Sequence, residues 1–160
     1  MKGYDDVIGG WVVALYKALL WKGSKPFELL KKSNIDLDEL ANVGSRVPLN
    51  LCNKLYEQAV ILTDDPLLPI RVSQCVVASS FHALGYSILA SATLKDAFIR
   101  VVQYERVLSS ACSLNLTQHN DSYYLELSLK SDDTEKYIAD QLELTMLLSI
   151  IKISRDLSHP

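Results

Sequence analysis

A chain of 160 residues with 49% hydrophobic and 22% charged side chains is long enough to bury its own core as one domain, without disulfide staples. Its 6 glycines and 5 prolines argue against a fibrous repeat or a disordered tract. With 16 basic against 19 acidic residues, a formal net charge of −3, it lacks the basic excess that phosphate-backbone binding wants.

The N-terminus, Met1-Lys2-Gly3-Tyr4-Asp5-Asp6, does not read as a secretory signal. The apolar run from Val7 to Leu20 is interrupted by Gly9, Gly10, Tyr16 and Lys17, and no small-residue cleavage site follows. Apolar residues at helical spacing (Val7, Trp11, Leu15, Leu19) predict an amphipathic helix over 7–21, closed by Gly23. Ser24-Lys25-Pro26-Phe27-Glu28 opens a short helix, with proline tolerated in its first turn, and 34–41 holds another turn or two. The lysines of this region, Lys22, Lys25, Lys31 and Lys32, are diluted by Glu28, Asp36, Asp38 and Glu39, which makes a solvated face and not a nucleic-acid patch.

Val47-Pro48 starts a stronger helix, striped by Cys52, Leu55, Tyr56 and Ala59 and ended at Thr63-Asp64-Asp65-Pro66. Helix resumes over 67–77, passes a serine-rich joint, and continues through Phe81, Leu84 and Ile88 with Gly85 permitting a close contact or a kink. The lightly charged stretch 72–93 is too polar to span a membrane, and a cytoplasmic location is expected. Thr93-Leu94-Lys95-Asp96 is a capping sequence, the threonine hydroxyl accepting a free backbone N–H, and predicts a helix from Thr93 to Leu108.

After Ala111 the period changes to two. Cys112, Leu114 and Leu116 alternate with polar residues, as do Tyr123, Leu125, Leu127 and Leu129 beyond an Asn120-Asp121 turn, which predicts a β-hairpin with one covered face. A lone hairpin is marginal, so it must lie on helices or join further strands. Helix returns over 134–156, apolar over most of its circumference. That stripe either covers the sheet or extends into a dimer interface. The predicted fold is α+β, a helical N-terminal half packed on a small antiparallel sheet under a covering C-terminal helix, in a single domain 1–160.

Three segments carry a likeness. Arg46-Val47-Pro48-Leu49, running on to Leu62-Thr63-Asp64-Asp65-Pro66, matches an x-V-P helix start and a T-G-D-P end. The stretch from Ala83 to Ala97 matches x-L-G-Y-A-x-x-S-S-x-T-L-x-x-A. Tyr104 to Ser109 precedes the alternating hairpin. In this order the chain resembles the N-terminal regulatory domain of AraC-type transcriptional regulators, in the arabinose-binding-like branch of ornithine- and arginine-responsive activators. Pro26-Phe27-Glu28-Leu29-Leu30 and Ile35-Asp36 fit the short upstream helices of that branch. Asp64 stands where the family has glycine, and Pro69-Ile70-Arg71-Val72-Ser73 where it has G-L-R-x-G. The resemblance implies an effector-sensing domain whose full protein carries a C-terminal helix-turn-helix domain. That unit is absent from these residues, and the sequence stops at Pro160 directly after an apolar helix, as a piece truncated at its C-terminal end would.

No catalytic constellation accompanies the likeness, so no enzyme is expected. The serines lack a nucleophile elbow, Gly9-Gly10 lacks the spacing of a phosphate loop, and no histidine pair or Cys/carboxylate set stands at metal-ligand spacing. Cys52, Cys75 and Cys112, odd in number and set among apolar residues, read as free thiols. Neither a cofactor nor a metal is expected. The partners expected are a small-molecule effector, the attached DNA-binding domain and a second copy of the chain, with no membrane and no nucleic acid bound by these residues. Candidate pocket residues are His82, as a wall donor or a structural histidine, and Tyr86, Tyr104 and Tyr124, whose rings and hydroxyls suit a small molecule. Arg106 and Glu126 complete the pocket candidates; Arg106 would pair with a ligand carboxylate, or instead bridge to Glu105 or Glu126 or stand in solvent. The cavity is expected between the Thr93–Leu108 helix and the hairpin. The alternative function is a ligand-free oligomerisation module of the same kind of regulator.

Overall fold

Val7 and Ile8 belong to a strand and not to the first helix. In the computed structural model, which describes residues 5–40, 42–129 and 140–158, β1 (Asp6–Ile8) runs antiparallel to β2 (Arg46–Pro48), with Val7 opposite Val47. Two adjacent β-branched residues favour extended backbone, and three residues are too few for periodicity to tell strand from helix. Helix α1 (Gly10–Trp21) starts only after Gly9, whose N–H is taken by the Ser45 carbonyl at 3.0 Å. It closes as expected, with Gly23 at φ 75° and the Ser24 N–H donating to the Leu19 carbonyl.

Short helices α2 (Pro26–Lys32) and α3 (Leu37–Leu40) lead to β2 and then α4 (Leu49–Thr63). Arg46 ties this corner together. Its guanidinium donates to the Asp6 carboxylate from both Nε and Nη2, and to the Val107 carbonyl from Nη1. Helix α4 buries Cys52, Leu55, Tyr56 and Ala59 and ends on Asp64, which sits in the left-handed region at φ 47°, ψ 40°. Aspartate tolerates that conformation; glycine adopts it without steric cost. Asp64→Gly is therefore expected to stabilise the domain by about 0.5–1 kcal/mol, read as a higher urea midpoint with an unchanged slope.

The next residue works by charge. The Asp65 carboxylate accepts from Lys22 Nζ, from Arg71 Nε at 3.3 Å and from the Leu67 N–H at 2.9 Å, joining the end of α1 to the end of α4. The bond from Lys22, the largest influence, holds its carboxyl below the ordinary carboxylate range. A folded-state pKa below the unfolded value adds stability above that range, which is lost as the pH falls through it. Asp65→Asn is expected to lower the urea midpoint at neutral pH. The gap should close as the pH drops through the carboxylate range.

Helix α5 (Leu68–Cys75) runs into a 3-10 turn (Ala78–Phe81) and α6 (His82–Leu89). Helix α7 (Leu94–Gln103) is capped as its sequence predicts, Thr93 Oγ1 accepting the Asp96 N–H at 3.1 Å. The helix expected to reach Leu108 breaks at Tyr104, and α8 (Glu105–Leu108) follows. Bonds leaving the helix draw this last turn out of line: Val107 accepts from Arg46, Ser109 bridges to Val7, and the Ser110 N–H reaches the Asp6 carbonyl.

Strands β3 (Cys112–His119) and β4 (Ser122–Leu129) pair antiparallel, Leu114 opposite Leu127 and Leu116 opposite Leu125, around Asn120 at φ 52°. Lys95 Nζ lies 5.0 Å from the Tyr123 ring centre, linking α7 to the hairpin. Helix α9 (Asp140–Ser158) packs on α4 and α5 and also meets α7; the expected start at 134–139 lies outside the described residues. Helices thus pack on two small antiparallel sheets under a C-terminal helix, the α+β arrangement the pattern implied.

No disulfide joins the three cysteines, and burial pushes the Cys52 thiol up to about 12. Among the described residues no single helix is long and apolar enough to cross a membrane, and no His/Cys/Asp/Glu group could hold a metal.

Candidate functional site

Helix α7, the base of the hairpin and α9 do not close completely on one another. Between them lies a cavity of about 60 Å³, bounded by Ala97, Phe98 and Val101 of α7, Cys112, Leu114 and Leu127 of the hairpin, and Met146, Ile150 and Ile153 of α9. Trp11 of α1 and Phe81 of the 3-10 turn, their ring centres 5.2 Å apart, add to the wall.

The polar groups on this wall are largely committed. Ser149 Oγ donates to the Thr145 carbonyl at 2.6 Å and Ser154 Oγ to the Ile150 carbonyl at 2.7 Å, the back-bonding that hides a hydroxyl inside a helix. Ser109 Oγ donates to the Asp6 carbonyl at 3.3 Å. The Glu105 carboxylate accepts the Leu114 N–H at 2.5 Å. Trp11 differs: its indole N–H is buried and has no partner among the described residues. The backbone there is fixed by the Tyr56 hydroxyl, which donates to the Trp11 carbonyl at 3.0 Å. Burial pushes the Tyr56 phenol up, so it stays a neutral donor.

An open groove of about 650 Å³ runs between the outer half of the hairpin and α9. It shares Phe98, Leu114, Leu127, Ile150 and Ser154 with the enclosed cavity. The cavity alone holds only a very small body; a longer one would occupy both spaces.

None of the six residues singled out from sequence lines the enclosed cavity. His82 follows the cavity residue Phe81 but is half-buried in α6, at φ 51°, ψ −126°, backbone space that glycine favours. Tyr86 projects outward from α6 and is 64% exposed. Tyr104 stands at the α7–α8 break beside a shallow groove with Asp96 and Arg100, and Arg106 is exposed on α8. Tyr124 and Glu126 do come together, in a groove on the outer face of β4 with Gln118 and His119. Strand parity explains this, since Leu125 and Leu127 take the inner face.

The cavity itself lies where sequence placed it, against α7 and the hairpin. Its wall residues, Phe98, Met146, Ile150 and Ile153, look like ordinary core residues. The signal that marks them is the excess width of the apolar face on α9, more than one neighbour needs.

A family model described as the arabinose-binding domain of AraC transcription regulator, N-terminal, matches residues 23–160. That stretch contains every wall residue of the cavity except Trp11. No curated protein matches the chain.

Proposed function

The chain belongs to the family of arabinose-binding, N-terminal domains of AraC transcription regulators, a ligand-sensing regulatory domain and not an enzyme, and on that premise we propose that it senses its effector in the cavity between α7, the hairpin and α9. The observation that carries this reading is the apolar space left where α7, the hairpin and α9 meet.

An effector filling that space favours whichever arrangement of α9 against α7 and the hairpin fits it best. Only a difference in affinity between two arrangements shifts their populations. The attached helix-turn-helix domain of the full protein, in the cytoplasm, reads that shift, and DNA binding belongs to that domain.

Neither a sugar nor a basic amino acid suits this wall. A sugar brings a hydroxyl on nearly every carbon into a space whose serines and glutamate already have partners, leaving buried polar groups unpaired. An amino acid carboxylate would find no Arg, Lys or His on the cavity wall, Arg155 lining only the open groove. Thermal unfolding across a panel of small apolar metabolites and sugars tests the reading. A saturable rise in Tm with an apolar compound is expected; a response to sugars alone contradicts it.

A second reading has its own observation. Leu144, Leu147 and Ile151 share one face of α9 and are all exposed, which favours pairing with a second copy. Sedimentation at several concentrations separates the two: a dimer that binds no small molecule supports oligomerisation alone, and a monomer with a filled cavity supports sensing.

A further inference from the structure

The open groove beside α9 is lined mostly by apolar and aromatic side chains, and its one ionised residue is Arg155. Its other polar side chains have given their protons elsewhere. Tyr123 Oη donates to Gln118 Oε1 at 3.0 Å, Ser154 Oγ to the Ile150 carbonyl at 2.7 Å and Ser158 Oγ to the Ser154 carbonyl at 2.8 Å. Arg155 is exposed in the last turn of α9, with no ion pair among the described residues. The neighbouring acid, Asp156, is held by Lys152 at 2.7 Å and does not line the groove.

The cavity and the groove therefore differ in charge. The cavity wall has no Arg, Lys or His and includes Glu105; the groove has Arg155 and no acid. They share Phe98, Leu114, Leu127 and Ile150, so one molecule can occupy both. Met146 on the cavity wall and Arg155 on the groove stand about 13 Å apart along the axis of α9, a span suited to an alkyl chain of medium length. Charge fixes which end points where. An anion at the inner end would lose its hydration facing the Glu105 carboxylate. A cationic head finds no acid in the groove, and a neutral head leaves the guanidinium unused. A carboxylate at the groove keeps part of its hydration and meets the Arg155 fork, which matches it with two parallel bonds.

Building on the effector-sensing reading, we infer that the effector is an apolar carboxylate, an unbranched acyl chain of medium length, whose carboxylate pairs with Arg155 in the groove. Its tail runs past Leu127 and Ile150 into the cavity, against Phe98 and Met146.

Three probes with the same alkyl chain test this on the intact chain: decanoate, decanol and decylammonium, titrated calorimetrically below their micelle concentrations. Decanoate is expected to bind about fivefold more tightly than decanol at low salt, an advantage that shrinks as salt is added. Arg155→Gln should abolish the advantage while leaving decanol affinity and the urea midpoint unchanged, and Arg155→Lys should recover part of it, since lysine keeps the charge and loses the fork. Equal affinity for decanoate and decanol, or an advantage that survives Arg155→Gln, overturns the inference and leaves sensing intact. A lower urea midpoint in Arg155→Gln with decanoate affinity unchanged assigns the arginine to the helix end and overturns it too. Tighter binding of decylammonium overturns the anionic class, and a dimer that excludes decanoate makes the groove an interface between two copies, overturning the inference. If no probe raises Tm or shifts the Met146 methyl signal, both the inference and the sensing reading fail.

Discussion

Gly85→Ala is expected to cost the domain at least about 3 kcal/mol, a large share of the roughly 5–15 kcal/mol that holds a domain folded. A Cβ at this position would stand 1.6 Å from the Ala78 carbonyl oxygen and 2.4 Å from its carbon. Both are backbone atoms, so no side-chain rotation relieves the clash. The 3-10 turn cannot step aside cheaply either, because Ala78 and Phe81 are buried on it, Val76 is buried just before it, and Gly10 approaches the same turn at the Ser80 carbonyl. Any retreat moves Phe81 away from Trp11 and opens the inner wall of the cavity. Urea unfolding followed by circular dichroism reads the loss. Ala83→Gly, on the exposed side of α6, serves as the comparison and should cost only about 1 kcal/mol. A Gly85→Ala protein as stable as that comparison would mean that α6 does not cross the turn at this point.

The second large effect is on binding. Ala97 is buried in α7 with its methyl on the cavity wall. Ala97→Leu adds its extra carbons to a space of only about 60 Å³, where a ligand's apolar body would otherwise lie. Effector affinity is expected to fall at least tenfold, equivalent to about 1.4 kcal/mol. Stability should stay within about 1 kcal/mol of wild type, since filling a void offsets the strain of the larger side chain. Calorimetric titration with an apolar compound that raises Tm, alongside thermal unfolding, separates the two quantities. A folded Ala97→Leu protein that binds like wild type would place the ligand elsewhere, with the outer groove of Tyr124 and Glu126 the next to test.

Side-chain period and capping chemistry make most of this fold legible in the sequence. The Thr93 cap, the Gly23 closure and the hairpin register all follow from local signals that act within a few residues. Periodicity failed where it has too little chain to work on: Val7-Ile8 and Arg46-Val47-Pro48 pair across 40 residues, and only the partner makes either a strand. The break at Tyr104 has the same origin, because the bonds that bend the helix come from Arg46 and Asp6.

The position of the cavity was legible and its lining was not. A cavity between α7 and the hairpin follows from a helix and a one-faced strand pair that must cover each other. Which residues line it depends on which face each side chain takes, and strand parity sends Tyr124 and Glu126 outward while the plainer Leu114 and Leu127 turn in. Trp11 reads in sequence as one more residue of an apolar helix stripe. That its N–H lacks a partner is a property of the assembled core, fixed by Phe81 and Tyr56 from distant parts of the chain.

Met146 offers the most direct measurement of whether this space binds the effector. The chain has 2 methionines, and Met146 lines the cavity, so its ε-methyl carbon signal is a nearly isolated reporter. Titrated with an apolar compound that raises Tm, the Met146 methyl is expected to shift saturably, at the same concentrations at which the protein gains thermal stability. A saturable gain in Tm with the Met146 methyl unmoved would contradict a binding site between α7, the hairpin and α9.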